Sequence, residues 1–203
     1  MKNLLIAFLF ITYSLDAQIM RFDKSNLVPN LVSVSVEKSD GKDVLKVIKD
    51  SVVKDADEPT FVKIKNSNLE NGIIEVKVLS RLTKTAPAFA RGFIGVAFRI
   101  NEQNNKFEAI YLRPTNGRAD DQFRRNHSVQ YFSYPDYKFD RLRKEADGVY
   151  ETYADLGLDE WISMRIEVNG NKAKLYLNDQ KSPSFIVNDY ERKYCDRQCW
   201  ALG

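Results

Sequence analysis

The chain has 203 residues, with 31 Lys or Arg against 28 Asp or Glu for a net charge of +3, one histidine and two cysteines. After the N-terminal segment no apolar stretch approaches the roughly 20 residues of a membrane span, so no span is expected. Between Arg113 and Arg143 there are seven Arg or Lys against four Asp, so the positive excess is local. That argues against a nucleic-acid binder, which would show a broader basic surface. It suits anionic or hydroxyl-rich small ligands, which arginine forks hold well.

In chain order, Met1-Lys2-Asn3 is a short positive start and Leu4 to Tyr13 is apolar, ending at the small Ala17 before Gln18. This pattern reads as a secretory signal peptide over residues 1–17, and predicts a secreted or periplasmic protein. Residues 18–203 are then expected to form a single domain. Strands are predicted at Leu31 to Val36, Val44 to Ile48 after Asp40-Gly41, Thr60 to Lys65, and Ile73 to Leu79 after Asn71-Gly72. In the last of these, Ile74, Val76 and Val78 face one way, and Glu75 and Lys77 the other. Gly92 to Ile100, Lys106 to Arg113 and Ser128 to Tyr134 follow, and Trp161 to Leu177 reads as a hairpin turning at Asn169-Gly170. Short helical turns are expected only near Asp189 to Lys193. Such spacing predicts an all-β sandwich. Cys195 and Cys199 are so close together that a disulfide would close a tiny loop and stabilise little.

The central pair is informative. Ile94, Val96, Phe98 and Ile100, with Ile110 and Leu112, are predicted to face the core. The opposite face carries Phe93, Gly95, Ala97 and Arg99, with Ala109, Tyr111 and Arg113. Glycine and alanine inside a strand lower the sheet surface. The expectation is a groove floored by Gly95, Ala97 and Ala109 and edged by Arg99, Tyr111 and Arg113. The competing expectation is that a loop of the same chain covers those small residues. Glu108 falls on the core side, so it should lie at an edge or pair with an arginine.

Pro114 ends the second strand, and Arg118, Asp120, Asp121, Arg124, Arg125, Asn126 and His127 crowd the following loop. Polar loops on rigid sheets are where binding and catalysis concentrate. His127 is the one candidate general base, since an unperturbed imidazole titrates near neutrality. Ligand-binding candidates are Arg99, Tyr111 and Arg113, then Asn116, Arg118, Arg125 and Gln130. No metal-ligand pattern is present, no cofactor is expected, and no oligomeric state follows from these residues.

FIGVAFRI with NNKFEAIYLRPTNG, HSVQYFSYPDY, the Asp159-Glu160-Trp161 strand start and VNGNKAKLYLND resemble the concanavalin A-like lectin/glucanase superfamily. Within it the chain is similar to secreted laminin-G-like and 3-keto-disaccharide hydrolase-like domains, over about Glu58 to Asp189. The resemblance implies a jelly roll of two curved antiparallel sheets with a carbohydrate ligand on the concave face. The E-x-D-x-x-E strand of the true glucanases is absent. The resemblance therefore implies a lectin-like module. Its alternatives are a 3-keto-glycoside hydrolase or lyase, with His127 as base and Arg113 or Arg99 holding the enolate, and a protein-binding adhesion domain. Members usually finish with a Gly-x-x-Gly-Leu-Trp-like strand, whereas this sequence reads RQCWALG. One codon choice for RQCWALG, read one nucleotide on, encodes GSVGLW. The expectation is a frameshifted or truncated end, a missing last strand and an unpaired sheet edge.

Overall fold

The computed structural model describes residues 19–20, 22–23, 25–55, 57–65, 67, 69–188 and 201–202. The leader over 1–17, the helical turns expected at Asp189 to Lys193 and both cysteines lie outside the described residues. In chain order the first strands are β1 (Leu27–Asn30), β2 (Val32–Ser39), β3 (Lys42–Lys49), β4 (Phe61–Ile64), β5 (Gly72–Val78), β6 (Ile94–Phe98) and β7 (Phe107–Leu112). Two short helices, α1 (Pro114–Gly117) and α2 (Gln122–Asn126), lead to β8 (Val129–Tyr134). Helix α3 (Phe139–Glu145) precedes β9 (Glu151–Thr152), β10 (Ile162–Asn169), β11 (Lys172–Leu177), β12 (Phe185–Asn188) and β13 (Ala201–Leu202).

The protein is an all-β sandwich. A seven-stranded sheet runs β1-β4-β13-β6-β7-β8-β9, a four-stranded sheet runs β12-β11-β10-β5, and β2 and β3 pair as a separate hairpin. Period-two alternation explains the smaller sheet. Ile162, Met164, Ile166 and Val168 are buried, as their alternation predicts, and β5 pairs Ile74 with Ile166 and Val78 with Ile162. From the larger sheet Val96, Phe98, Ile110, Leu112, Val129 and Tyr131 join them in one buried cluster. Burying apolar surface between layers, at about 25 cal/mol per Å², is what holds such a sandwich together. β13 does not sit at an edge: Ala201 pairs with Lys63 on one side and Ala97 on the other.

Two expectations about the central pair are corrected. Arg99 lies on the opposite side of the sheet from Arg113. Its φ of 54° breaks the alternation at the strand end. The guanidinium turns into the sandwich and donates to Glu108 Oε1 at 2.9 Å and to the Gly170 carbonyl of the β10–β11 turn. Glu108 thus finds the arginine partner its burial requires, and also accepts from Tyr131 Oη at 3.0 Å. Nor is the groove open: Ala97, Ala109 and Tyr111 are 5, 6 and 7% exposed. A Cβ on Gly95 would stand 2.4 Å from the Ile110 carbonyl, so that glycine accommodates its neighbouring strand rather than a ligand. The chain itself covers the face. Asp57 accepts from Tyr111 Oη at 3.1 Å and from the Phe139 amide at 3.4 Å, and Glu58 accepts from Tyr134 Oη at 3.2 Å. Beneath lies an aromatic layer, with Phe107 stacked on Tyr134 at 5.0 Å and edge-on to Phe132 at 5.5 Å.

Candidate functional site

At one end of that covered face the predicted residues do come together. β7 pairs Tyr111 with Gln130, and β9 pairs Glu151 with Gln130, so the three form a row across the sheet. Two residues further along each strand, Arg113 continues the pairing by donating its amide to the Ser128 carbonyl at 2.7 Å. Phe93 and Tyr153 end the neighbouring strands in that second row. Pro114 supplies the first residue of α1, where a missing amide hydrogen costs nothing. The Asp121 side chain caps α2 by accepting from the amides of Phe123 and Arg124. That cap sets Phe123, Arg124 and Arg125 above the sheet end.

Arg113 is the hub. It is 5% exposed and donates through Nη1 to Glu151 Oε1 at 2.9 Å and the His127 carbonyl at 3.1 Å. Through Nη2 it donates to Tyr111 Oη at 2.8 Å and Gln130 Oε1 at 3.1 Å. Glu151 also accepts from Arg143 Nε at 2.6 Å and Nη2 at 2.5 Å. Burial pushes the Glu151 carboxyl upward, but the Arg143 hydrogen bonds and the charges of Arg113, Arg143 and His127 outweigh it and hold it below its ordinary value. Burial lifts Asp57 above the usual carboxylate value against the pull of Arg113, and lifts the Tyr111 hydroxyl well above its own. Tyr111 therefore stays protonated and donates to Asp57.

His127 is corrected as a catalytic candidate. Both ring nitrogens are buried, and neither makes a hydrogen bond among the described residues. Nδ1 stands 3.2 Å from Glu151 Oε2, an ion-pair distance without hydrogen-bond alignment. The ring packs edge-on against Phe123 at 4.4 Å, and burial lowers its pKa more than Glu151 raises it. A general base has to come within hydrogen-bond reach of the proton it takes, and both of these nitrogens face the protein interior. Asn116 is also scaffold: it donates to the His127 carbonyl at 3.1 Å and accepts from Arg124 Nε at 3.3 Å. Arg118 stands apart, spanning Asp155 and Glu160 with 56% of its side chain exposed. Arg125 stacks on Tyr153 at 4.9 Å and donates to its hydroxyl at 2.8 Å.

Around this floor is a rim of groups that face solvent. Phe93, Phe123 and Tyr153 are 51, 68 and 40% exposed. Phe93 is edge-on to Tyr111 at 5.8 Å, and Arg143, half-buried, stacks over Phe139 at 5.0 Å. Arg91 and Arg124, both half-buried, complete the rim. Sequence reasoning missed Arg91, Phe123, Tyr153, Arg143 and Glu151; α3 supplies Arg143, and β9 after it supplies Glu151. Among the described residues no group of His, Cys, Asp or Glu could hold a metal ion. Another concavity, of about 400 Å³, lies on the outer face of the four-stranded sheet beside Glu75, Lys77, Arg165 and Tyr176. There Arg165 pairs with Glu167 and stacks over Tyr176 at 4.0 Å. No helix among the described residues is long and apolar enough to cross a membrane.

No family model matches the chain, and no curated protein matches it. Among solved structures it is similar to the carbohydrate-binding module CBM66 from Bacillus subtilis, at 12% identity and a TM-score of 0.49, covering 70% of this chain and 71% of that one. At that identity the likeness is one of chain path alone.

Proposed function

We propose that the protein is a secreted, lectin-like module of the concanavalin A-like lectin/glucanase superfamily that binds carbohydrate in extracytoplasmic glycan use. The supporting observation is the rim: three exposed aromatic rings, Phe93, Phe123 and Tyr153, stand beside a floor whose arginine, glutamine and carboxylate are already locked to one another. Rings of this kind offer flat apolar faces for sugars beside polar donors, and a rigid floor lowers the ordering cost of binding. The hydrolase or lyase reading is the weaker one, because it requires an accessible base and His127 is enclosed.

The test is isothermal titration against a panel of neutral and charged oligosaccharides, with Phe93→Ala, Phe123→Ala and Tyr153→Ala beside the native protein. Removal of a stacking ring should weaken binding at least tenfold in a variant that keeps its melting temperature. A folded native protein that binds no oligosaccharide on the panel overturns the proposal.

A further inference from the structure

The arginines of this region do not all have counter-charges. Arg113 and Arg143 share Glu151, Arg118 spans Asp155 and Glu160, and Arg141 pairs with Glu145. Arg125 donates to the Tyr153 hydroxyl at 2.8 Å rather than to a carboxylate, and Arg91 and Arg124 likewise differ from the paired arginines. Arg91 donates only to the carbonyls of Ala88 and Ala90, at 3.0 and 3.1 Å. Arg124 donates to the Thr115 carbonyl at 3.1 Å and to Asn116 Oδ1 at 3.3 Å. Neither meets a carboxylate among the described residues. Asp121, the nearest acid in sequence to Arg124, spends its Oδ1 on backbone amides at 2.9 and 3.3 Å.

One residue ties the two arginines together. The Thr115 amide donates to the Arg91 carbonyl at 3.2 Å, while its own carbonyl accepts from Arg124. The Thr115 hydroxyl is buried and has no hydrogen-bond partner among the described residues. Arg91 holds its proton less firmly than a free arginine, first because of burial and then because of the charges of Arg124 and Arg113. Two partly desolvated guanidiniums placed side by side repel, and neutral carbonyls do not cancel that repulsion. An incoming anion does, with charge-assisted hydrogen bonds about twice as strong as neutral ones. Phe89, Phe93 and Phe123 are the exposed rings nearest these arginines in sequence, within two residues of one or the other.

We infer that the ligand of this rim is an anionic glycan, a sugar chain bearing carboxylate or sulfate groups, with Arg91 and Arg124 gripping the anion. The inference rests on the carbohydrate-binding reading and narrows its ligand class. Titration of the native protein with oligogalacturonate, a sulfated chondroitin oligosaccharide and a neutral cello-oligosaccharide tests it, each at low and high salt, beside the double variant Arg91→Gln/Arg124→Gln. Expected is preference for an anionic probe, weakened by salt, and at least a tenfold loss of that preference in the double variant at unchanged melting temperature. Tighter binding of oligogalacturonate points to carboxylate, and tighter binding of the chondroitin chain, which carries both groups, points to an added contribution from sulfate. Equal binding of neutral and anionic chains, or a double variant that keeps the preference, overturns the inference while leaving carbohydrate binding intact. If no chain of either charge binds, both readings fall.

Discussion

Replacement of Glu151 by glutamine tests the hub directly. Its side chain is 3% exposed and accepts from two guanidiniums, at 2.9 Å from Arg113 and at 2.6 and 2.5 Å from Arg143. Glutamine keeps the shape but removes the negative charge, leaving Arg113 buried beside Arg143 without the carboxylate both donate to. Removing one partner of a buried pair costs about 3–5 kcal/mol, because the remaining charge stays desolvated. Against a total stability of about 5–15 kcal/mol, that is a large fraction. Urea unfolding of native and Glu151→Gln protein gives the difference. The double variant Glu151→Gln/Arg113→Met should recover part of it, since the orphaned charge is then gone. A single-variant loss below about 1 kcal/mol, the range of exposed pairs, would refute the hub.

Other perturbations separate the remaining features. Arg99→Met strands Glu108 inside the sandwich and should cost a similar 3–5 kcal/mol, whereas Arg118→Ala should leave the unfolding midpoint unmoved, because its partners are exposed; equal effects would contradict the placement of both. The one histidine gives a single imidazole resonance, and its NMR titration should report a pKa below the ordinary 6.5. With the folded value depressed, the contribution of His127 to stability is complete above pH 6.5 and is lost as pH falls through that value toward the folded pKa. His127→Gln should flatten stability in that window, and an unchanged profile would count against it. Asp57 works with the opposite sign: its folded value is raised from 3.8, so its penalty grows as pH rises above that value. Asp57→Asn should therefore stabilise the protein near neutrality and not in strong acid, as paired thermal melts would show.

The sheets were legible because their strands alternate cleanly. Ile74, Val76 and Val78 against Glu75 and Lys77 gave one face correctly, as did Ile162 through Val168. Alternation stopped being a guide at Arg99, where a left-handed residue sends the side chain across the sheet. β9 was invisible, since two residues are too few for a period to show, and Glu151 went unseen with it. The sequence hint was a lone carboxylate between tyrosines, Tyr150 and Tyr153. α3 escaped because its anchor is tertiary: only Leu142 is buried in it. Of the candidate residues, Tyr111, Arg113, Asn116, His127 and Gln130 lie together, joined through Arg113 and the His127 carbonyl. Most became the foundation of the site, while the surface they support comes from Arg91, Phe93, Phe123, Arg124 and Arg143.

The reversal at Arg99 also bears on how the molecule moves. Its fork reaches from the end of β6 to the Gly170 turn and, at 3.4 Å, to the Glu70 carbonyl ahead of β5. Two layers that touch mainly through oily, non-directional contacts are riveted there by directional bonds. Sliding of one sheet over the other should be stiffest at this corner, and amide hydrogens of the β10–β11 turn should exchange more slowly than those of the β2–β3 tip at Asp40 and Gly41, which has no such tether.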